Sequence, residues 1–199
     1  MLVDSHCHLD FPDLAADLDG VVGRARDAGV GRMVTISTKV KNHAQILVIA
    51  EKYADVFCSV GTHPHHASSE LGVDAQVLIG MAKHPKIVAI GEAGLDYHYD
   101  TGPRDDQFKS FREHIAAARE TGLPLVIHAR DCDDDMAAVL DSMHNGKIDY
   151  YGDSYGTFFG QVFSALHPDR LRSVVLDGAY PVIGETPWYF HAGEVVRAG

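Results

Sequence analysis

Cysteine is scarce in this sequence. Cys7, Cys58 and Cys132 are the three among 199 residues, an odd number at no disulfide-like spacing. That excludes a small disulfide-stapled scaffold and makes a reducing, cytoplasmic setting the expectation. Long apolar stretches are missing too. No run of roughly 18 consecutive apolar residues occurs, so no membrane-spanning helix is expected. The opening residues, MLVDSHCHLD, lack a basic segment followed by an apolar one, so no secretory leader is expected. Positive charge is in short supply: 17 Lys and Arg stand against 28 Asp and Glu, a formal net charge of −11. A broad basic surface that grips duplex nucleic acid by counterion release is therefore excluded. A small phosphate site built from metal ions and a few arginines is not. Linkers, low-complexity tracts and internal repeats are also lacking.

What is present reads as an ordinary globular chain, 46% hydrophobic and 23% charged, long enough for one sizeable domain or two small ones. Short apolar runs alternate with helical periodicity. Strands are expected at Leu2–Val3, Arg32–Ser37, Val56–Val60, Ile87–Ile90, Leu125–Ile127, Ile148–Tyr151 and Leu171–Leu176. Helices are expected at Asp13–Ala28, Asn42–Tyr53, Ala75–His84, Arg104–Thr121, Asp133–His144 and Tyr155–Leu166. After Asp177 the glycines and prolines predict irregular chain with a last turn near Glu194–Arg197. Continuous apolar strands indicate a parallel sheet covered on both faces. The fold class is α/β with about seven strands, either a barrel or an open doubly wound sheet.

Thirteen histidines are many for this length, and their positions carry more than their number. His6 and His8 are two apart after the first strand, so in extended chain both imidazoles point to one side. Further ligand types end later strands: His63 and His65 after the third, Glu92 after the fourth, His128 after the fifth. In parallel α/β folds the carboxyl ends of the strands open on one side, where sites sit. Residues far apart in sequence thus converge on a plausible divalent-metal site. A carboxylate such as Glu92 can bridge two ions, and two ions about 3.5–4 Å apart can hold the attacking and leaving oxygens of a phosphoryl transfer. Read singly, each residue has a plain structural explanation: a loop histidine, a turn carboxylate, a core histidine. Four such accidents at one rim are much less expected.

Four segments carry a resemblance. Asp4-Ser5-His6-Cys7-His8-Leu9-Asp10, Gly61-Thr62-His63-Pro64-His65, Ala89-Ile90-Gly91-Glu92-Ala93-Gly94-Leu95-Asp96 and Pro124-Leu125-Val126-Ile127-His128-Ala129-Arg130-Asp131 resemble the TatD family of metal-dependent deoxyribonucleases, over residues 1–144. The resemblance implies a TIM-barrel-like metallohydrolase that cleaves phosphodiesters, with DNA ends or short single strands as substrate. It implies two divalent ions (Mg, Mn or Zn), with His6 and His8 on one, Glu92 bridging and His128 on the second. His63, His65 and Arg130 line the phosphate side, and Glu92 and Arg130 are the catalytic candidates. The family continues with a further His strand and a late Asp strand, and neither stretch occurs here. The barrel is therefore expected to be incomplete, since about 250 residues are typical.

Residues 147–190 resemble something else. Gly152-Asp153-Ser154-Tyr155-Gly156 is G-x-S-x-G between a strand and a helix, the setting of a nucleophile elbow. With His167-Pro168-Asp169-Arg170-Leu171 behind it, the segment is similar to α/β-hydrolase peptidases of the prolyl or tripeptidyl aminopeptidase type. That resemblance implies Ser154 as nucleophile. His167 and His191 follow it, but neither in the family's triad setting. The sequence thus divides into a TatD-like part, 1–146, and an α/β-hydrolase-like βαβ part with an irregular tail, 147–199. If the later strands take barrel places, Asp153 and Asp177 end them and can stand in for the missing ligand. The alternatives to a metal-dependent nuclease are a serine hydrolase and a non-catalytic fusion.

Overall fold

The computed structural model describes residues 1–99, 101–142, 146–153 and 155–177. The chain forms two compact units, Met1–Asp131 and Cys132–Gly199. The division expected from sequence falls between residues 146 and 147, whereas the packed units divide between Asp131 and Cys132.

The first unit is built on five parallel strands: β1 (Leu2–Cys7), β2 (Val30–Thr35), β3 (Val56–Val60), β4 (Ile87–Asp96) and β5 (Leu125–Arg130). They lie in the order 1-2-3-4-5. A doubly wound sheet reverses its order at a switch point. Here no reversal occurs, so the architecture is that of a barrel wall, as in a TIM-barrel-like (β/α) fold. The helices are α1 (Pro12–Ala15), α2 (Leu18–Asp27), α3 (His43–Lys52), α4 (Ala75–Met81) and α5 (Arg104–Thr121). They pack on the sheet through one apolar cluster. Val22 of α2, Ile46 and Ala50 of α3, Leu78 of α4 and Ala117 of α5 meet Met33, Val56, Val60 and Ile90 of the strands. Each Val, Ile, Leu or Met side chain among them contributes about 1.5–3 kcal/mol on burial.

Several boundaries differ from expectation. The helix expected over Asp13–Ala28 is split at Ala16 and Asp17. Asp17, the N-cap of α2, has φ −134° and ψ 51°, outside the helical region, and its exposed carboxylate accepts from the Arg24 guanidinium at 3.1 Å. β1, β4 and β5 run past their apolar stretches, to Cys7, Asp96 and Arg130. Apolar patterning marks the packed part of a strand. Ladder pairing carries the polar remainder: Cys7 pairs with Thr35, and Asp96 with Arg130. The helix over Arg104–Thr121 has the bounds expected, closed by Gly122 at φ +68°.

The second unit contains α6 (Asp133–Ser142), β6 (Ile148–Asp153), α7 (Tyr155–Leu166) and β7 (Leu171–Asp177). β6 and β7 form a separate two-stranded parallel sheet. The seven expected strands are thus present, divided five and two. Tyr150 Oη donates to the Gly156 carbonyl at 2.6 Å, and the Phe159 and Phe163 rings stack 5.9 Å apart. Asp153 and Asp177 are register partners at the carboxyl ends of β6 and β7. Ser154, His191 and the tail after Asp177 lie outside the described residues. Among the described residues no helix is long and apolar enough to cross a membrane.

Candidate metal centre

All the histidines expected at the site lie in the first unit, at the carboxyl ends of its strands. What brings them together begins with glycine. β4 continues through Gly91-Glu92-Ala93-Gly94, with its register against β5 shifted between Ile90 and Ala93. Gly91 has φ +119° and Gly94 φ +148°. A Cβ on Gly94 would stand 2.0 Å from the His128 carbonyl oxygen, and one on Gly91 2.4 Å from that of Val126. Only glycine permits this approach of backbones. The approach sets the Glu92 carboxylate beside the His128 ring.

Glu92 is buried, and its two oxygens face opposite ways. Oε1 lies 3.3 Å from His128 Nδ1, and Oε2 lies 3.6 Å from His6 Nε2. His6, His8 and Glu92 offer ligand atoms that all lie within 4.8 Å of one another. His8 Nδ1 donates to the Ile36 carbonyl at 3.2 Å. A carbonyl only accepts, so this contact puts the His8 proton on Nδ1 and leaves Nε2 as its metal-binding nitrogen. The His8 ring also stacks on Phe11, with centroids 4.5 Å apart and an interplanar angle of 16°.

His63, His65 and His128 form a second cluster of this kind. Their hydrogen bonds assign them different work. His65 Nε2 and His128 Nε2 both donate to Asp96 Oδ2, at 2.7 and 2.8 Å. Asp96 Oδ1 accepts from the backbone N–H groups of His98 and Tyr99, at 3.0 and 3.3 Å. Asp96 is therefore a filled carboxylate that orients two imidazoles. It leaves His128 Nδ1 turned toward Glu92, where a metal ligand would be. His63 Nδ1 accepts the His65 backbone N–H at 3.2 Å, which puts the proton of a neutral His63 on Nε2. A ring held that way has its lone pair occupied and offers Nε2–H as a donor.

The electrostatics follow from the same contacts. Burial pushes the Glu92 carboxyl up, but the hydrogen bond from His128 and the neighbouring charges outweigh it and hold Glu92 at about 2. Burial and the adjacent His128 push His63 down to about 3, so it is neutral at physiological pH. Burial also works against charge on His128, but Glu92 and then Asp96 raise it above its ordinary value. The two carboxylates thus favour a proton on His128, and metal binding must work against that preference. Burial, reinforced by Asp4 and Asp10, pushes the Cys7 thiol up to about 12, which leaves it a poor ligand between His6 and His8.

The donor set suits a divalent ion: neutral imidazoles and an ionised carboxylate, with donor atoms spaced as they would be around one centre. Arg130 ends β5 with its guanidinium 5.4 Å from the Tyr99 ring. The sequence reading assigned no role to Asp96, Phe11 or Tyr99. For Asp96 a signal existed, because residues i and i+4 of a strand share a face, and Asp96 stands four after Glu92. In the second unit, the His167 ring lies 4.9 Å from Phe163.

A barrel-type parallel sheet with imidazoles and a carboxylate gathered at its carboxyl end is the arrangement of a metal-binding β/α barrel. The chain belongs to the TatD related DNase family, whose model matches residues 3–155. That span includes Gly152 and Ser154. The metal-dependent hydrolase YabD of Bacillus subtilis (strain 168) is 36% identical over 140 residues, 70% of this chain and 55% of YabD. The 3'-5' ssDNA/RNA exonuclease TatD of Erwinia tasmaniensis is 35% identical over 141 residues, 70% of this chain and 54% of that protein. The crystal structure of YjjV, a TatD homologue from Escherichia coli K12, superposes with a TM-score of 0.72 at 29% identity, covering 83% of this chain and 65% of YjjV. The chain spans about half the length of the curated relatives it matches.

Proposed function

We propose that this chain carries the metal centre of a divalent-metal phosphodiesterase that acts on single-stranded nucleic acid ends. The observation that carries this reading is Glu92, whose two carboxylate oxygens face His6 on one side and His128 on the other. On this reading Glu92 would be shared between two ions, with His6 and His8 as the residues that would hold one and His128 Nδ1 the other. The imidazole share of the set favours Zn²⁺ or Mn²⁺ over Mg²⁺. Bound divalent ions supply Lewis acidity at the phosphoryl oxygen and lower the pKa of water. The protein's own groups do the rest. Asp96 keeps His128 in its ligating tautomer, His63 donates through Nε2 to a phosphate oxygen, and Arg130 offsets phosphate charge. His65, held by Asp96, completes the phosphate side. The relative named as a 3'-5' ssDNA/RNA exonuclease points to single strands as the substrate class.

Elemental analysis of the folded, monodisperse chain is the direct test. About two metal equivalents, and EDTA-sensitive shortening of a single-stranded oligonucleotide, are expected. A well-folded chain that takes up no metal from a zinc or manganese buffer overturns the reading. No described observation favours Ser154 as a hydrolase nucleophile. A fluorophosphonate probe is expected to leave the chain unlabelled.

A further inference from the structure

Three large aromatic side chains are exposed among the described residues: Phe11 at 45%, Tyr99 at 49% and Tyr151 at 52%. Tyr151 belongs to the second unit. The other two each touch a histidine of the candidate metal centre. Phe11 stacks on His8, and Tyr99 meets His65 edge-on, with centroids 5.4 Å apart and an interplanar angle of 89°. They end one unbroken series of contacts. It runs from Phe11 to His8, on to His6 at 5.2 Å between centroids, to Glu92 at 3.6 Å and to His128 at 3.3 Å. From His128 it passes through Asp96 to His65 and Tyr99. The metal centre thus has an exposed aromatic ring at each end.

Both rings are held in place. Phe11 directly precedes α1, and its carbonyl accepts from Leu14 and Ala15 at 3.0 and 2.8 Å. The Tyr99 backbone N–H is taken by Asp96, and its neighbour His98 is tied to Asp131 at 2.9 Å. The Arg130 guanidinium stands by the Tyr99 ring. About half of each residue is thus left open to solvent beside the polar centre, where a planar group can lie against it.

We infer that Phe11 and Tyr99 are stacking platforms for the bases on either side of the scissile phosphate, so that the site takes unstacked, single-stranded nucleic acid. The inference rests on the phosphodiesterase reading above. Charge points the same way. A chain with 17 basic and 28 acidic residues gains little from counterion release over a broad surface, which leaves a larger share of affinity to base stacking. A duplex keeps its bases stacked on each other and offers neither face.

The test compares two probes on the full, metal-analysed chain in EDTA, where cleavage cannot occur. One is a fluorescent ten-nucleotide thymidine oligomer. The other is an abasic oligomer of the same length and charge. Fluorescence anisotropy should give the wild type about ten-fold tighter binding to the thymidine oligomer, the scale of a stacked base. Phe11→Ala and Tyr99→Ala should each narrow that ratio, and the double variant should bring it near one. Phe11→Trp and Tyr99→Phe should restore it. Variants with the wild-type ratio and wild-type metal content overturn the stacking inference and leave the phosphodiesterase reading intact. A wild type that shows no difference between the probes also overturns it. A well-folded wild type that takes up no metal defeats the reading beneath it.

Discussion

Two carboxylates in the first unit, Glu70 and Glu92, are each 7% exposed. Their partners differ. Glu70 accepts from the backbone N–H groups of Val40 and Lys41, at 2.9 and 3.0 Å, and from Thr62 Oγ1 at 2.5 Å. Those donors are fixed and close, and they clamp the segment after β2 to the segment after β3. Glu92 faces imidazoles at 3.3 and 3.6 Å, groups that can also turn their lone pairs to a cation. Burial alone does not separate a structural carboxylate from a functional one. The chemistry of the partners does. Close backbone donors close a carboxylate off, whereas loosely spaced imidazoles leave room for an ion between them.

The comparison is broken most directly by Glu92→Gln. An amide cannot bridge two cations through anionic oxygens. Metal content should fall from about two equivalents to less than one, with a loss in affinity of more than about 100-fold by competition with a chelating dye, while the fold persists. A Glu92→Gln chain that keeps both equivalents would place the ions elsewhere. Asp96→Asn comes next. Asparagine cannot accept both imidazole N–H groups on one anionic oxygen, so His128 loses its enforced tautomer. Metal affinity should fall about 10–100-fold, the usual effect of removing such an orienting carboxylate. Unchanged affinity would mean that packing alone fixes the ring.

Much of this was legible in the sequence, and the reasons are physical. His6, His8, Glu92 and His128 follow apolar strand runs, and a parallel sheet collects its carboxyl ends on one side. The α5 limits, Arg104 to Thr121, were legible because an acidic first turn and Gly122 mark its ends. The polar extension of β4 was not legible. Gly91 and Gly94 look like turn residues, and only the contact with β5 shows that they serve close strand approach. Asp96 and Tyr99 act through hydrogen bonds and ring contacts whose partners lie 31 or more residues away in sequence, to His65 and His128 for Asp96 and to Arg130 for Tyr99. Spacing along the chain carries no signal for such pairs; for Asp96 it shows only that the residue shares a strand face with Glu92. The split of the first helix lies in the non-helical backbone of Asp17, which hydrophobic periodicity does not report.

Glu70→Gln sharpens the comparison from the other side. The replacement amide must turn its NH₂ toward an N–H donor or toward Thr62, leaving a buried donor unmatched. That costs about 1–3 kcal/mol, or a fall in Tm of several degrees by differential scanning calorimetry. Metal content should stay at the wild-type value, because Glu70 touches none of the proposed ligands. Loss of metal in Glu70→Gln with the fold intact would show that the clamp and the centre are one system.

The smallest effect is in the pH dependence of the metal-free chain. The Glu92 carboxyl is held at about 2 against an ordinary 4.5, so its contribution to stability is complete above 4.5 and is lost as pH falls toward 2. Asp96 is also lowered, and it acts in the same direction from 3.8. His128 is raised above 6.5, so its contribution is complete below 6.5 and is lost as pH rises through its folded value. Thermal unfolding of the metal-free chain should therefore show greatest stability from this cluster between 4.5 and 6.5, with a decline on either side. Saturating zinc holds His128 in its neutral form and should remove the alkaline decline while leaving the acid one. His128→Gln should remove the alkaline decline without metal. An alkaline decline of equal size in the zinc-loaded chain and in His128→Gln would show that its source lies outside the Glu92 and Asp96 pair.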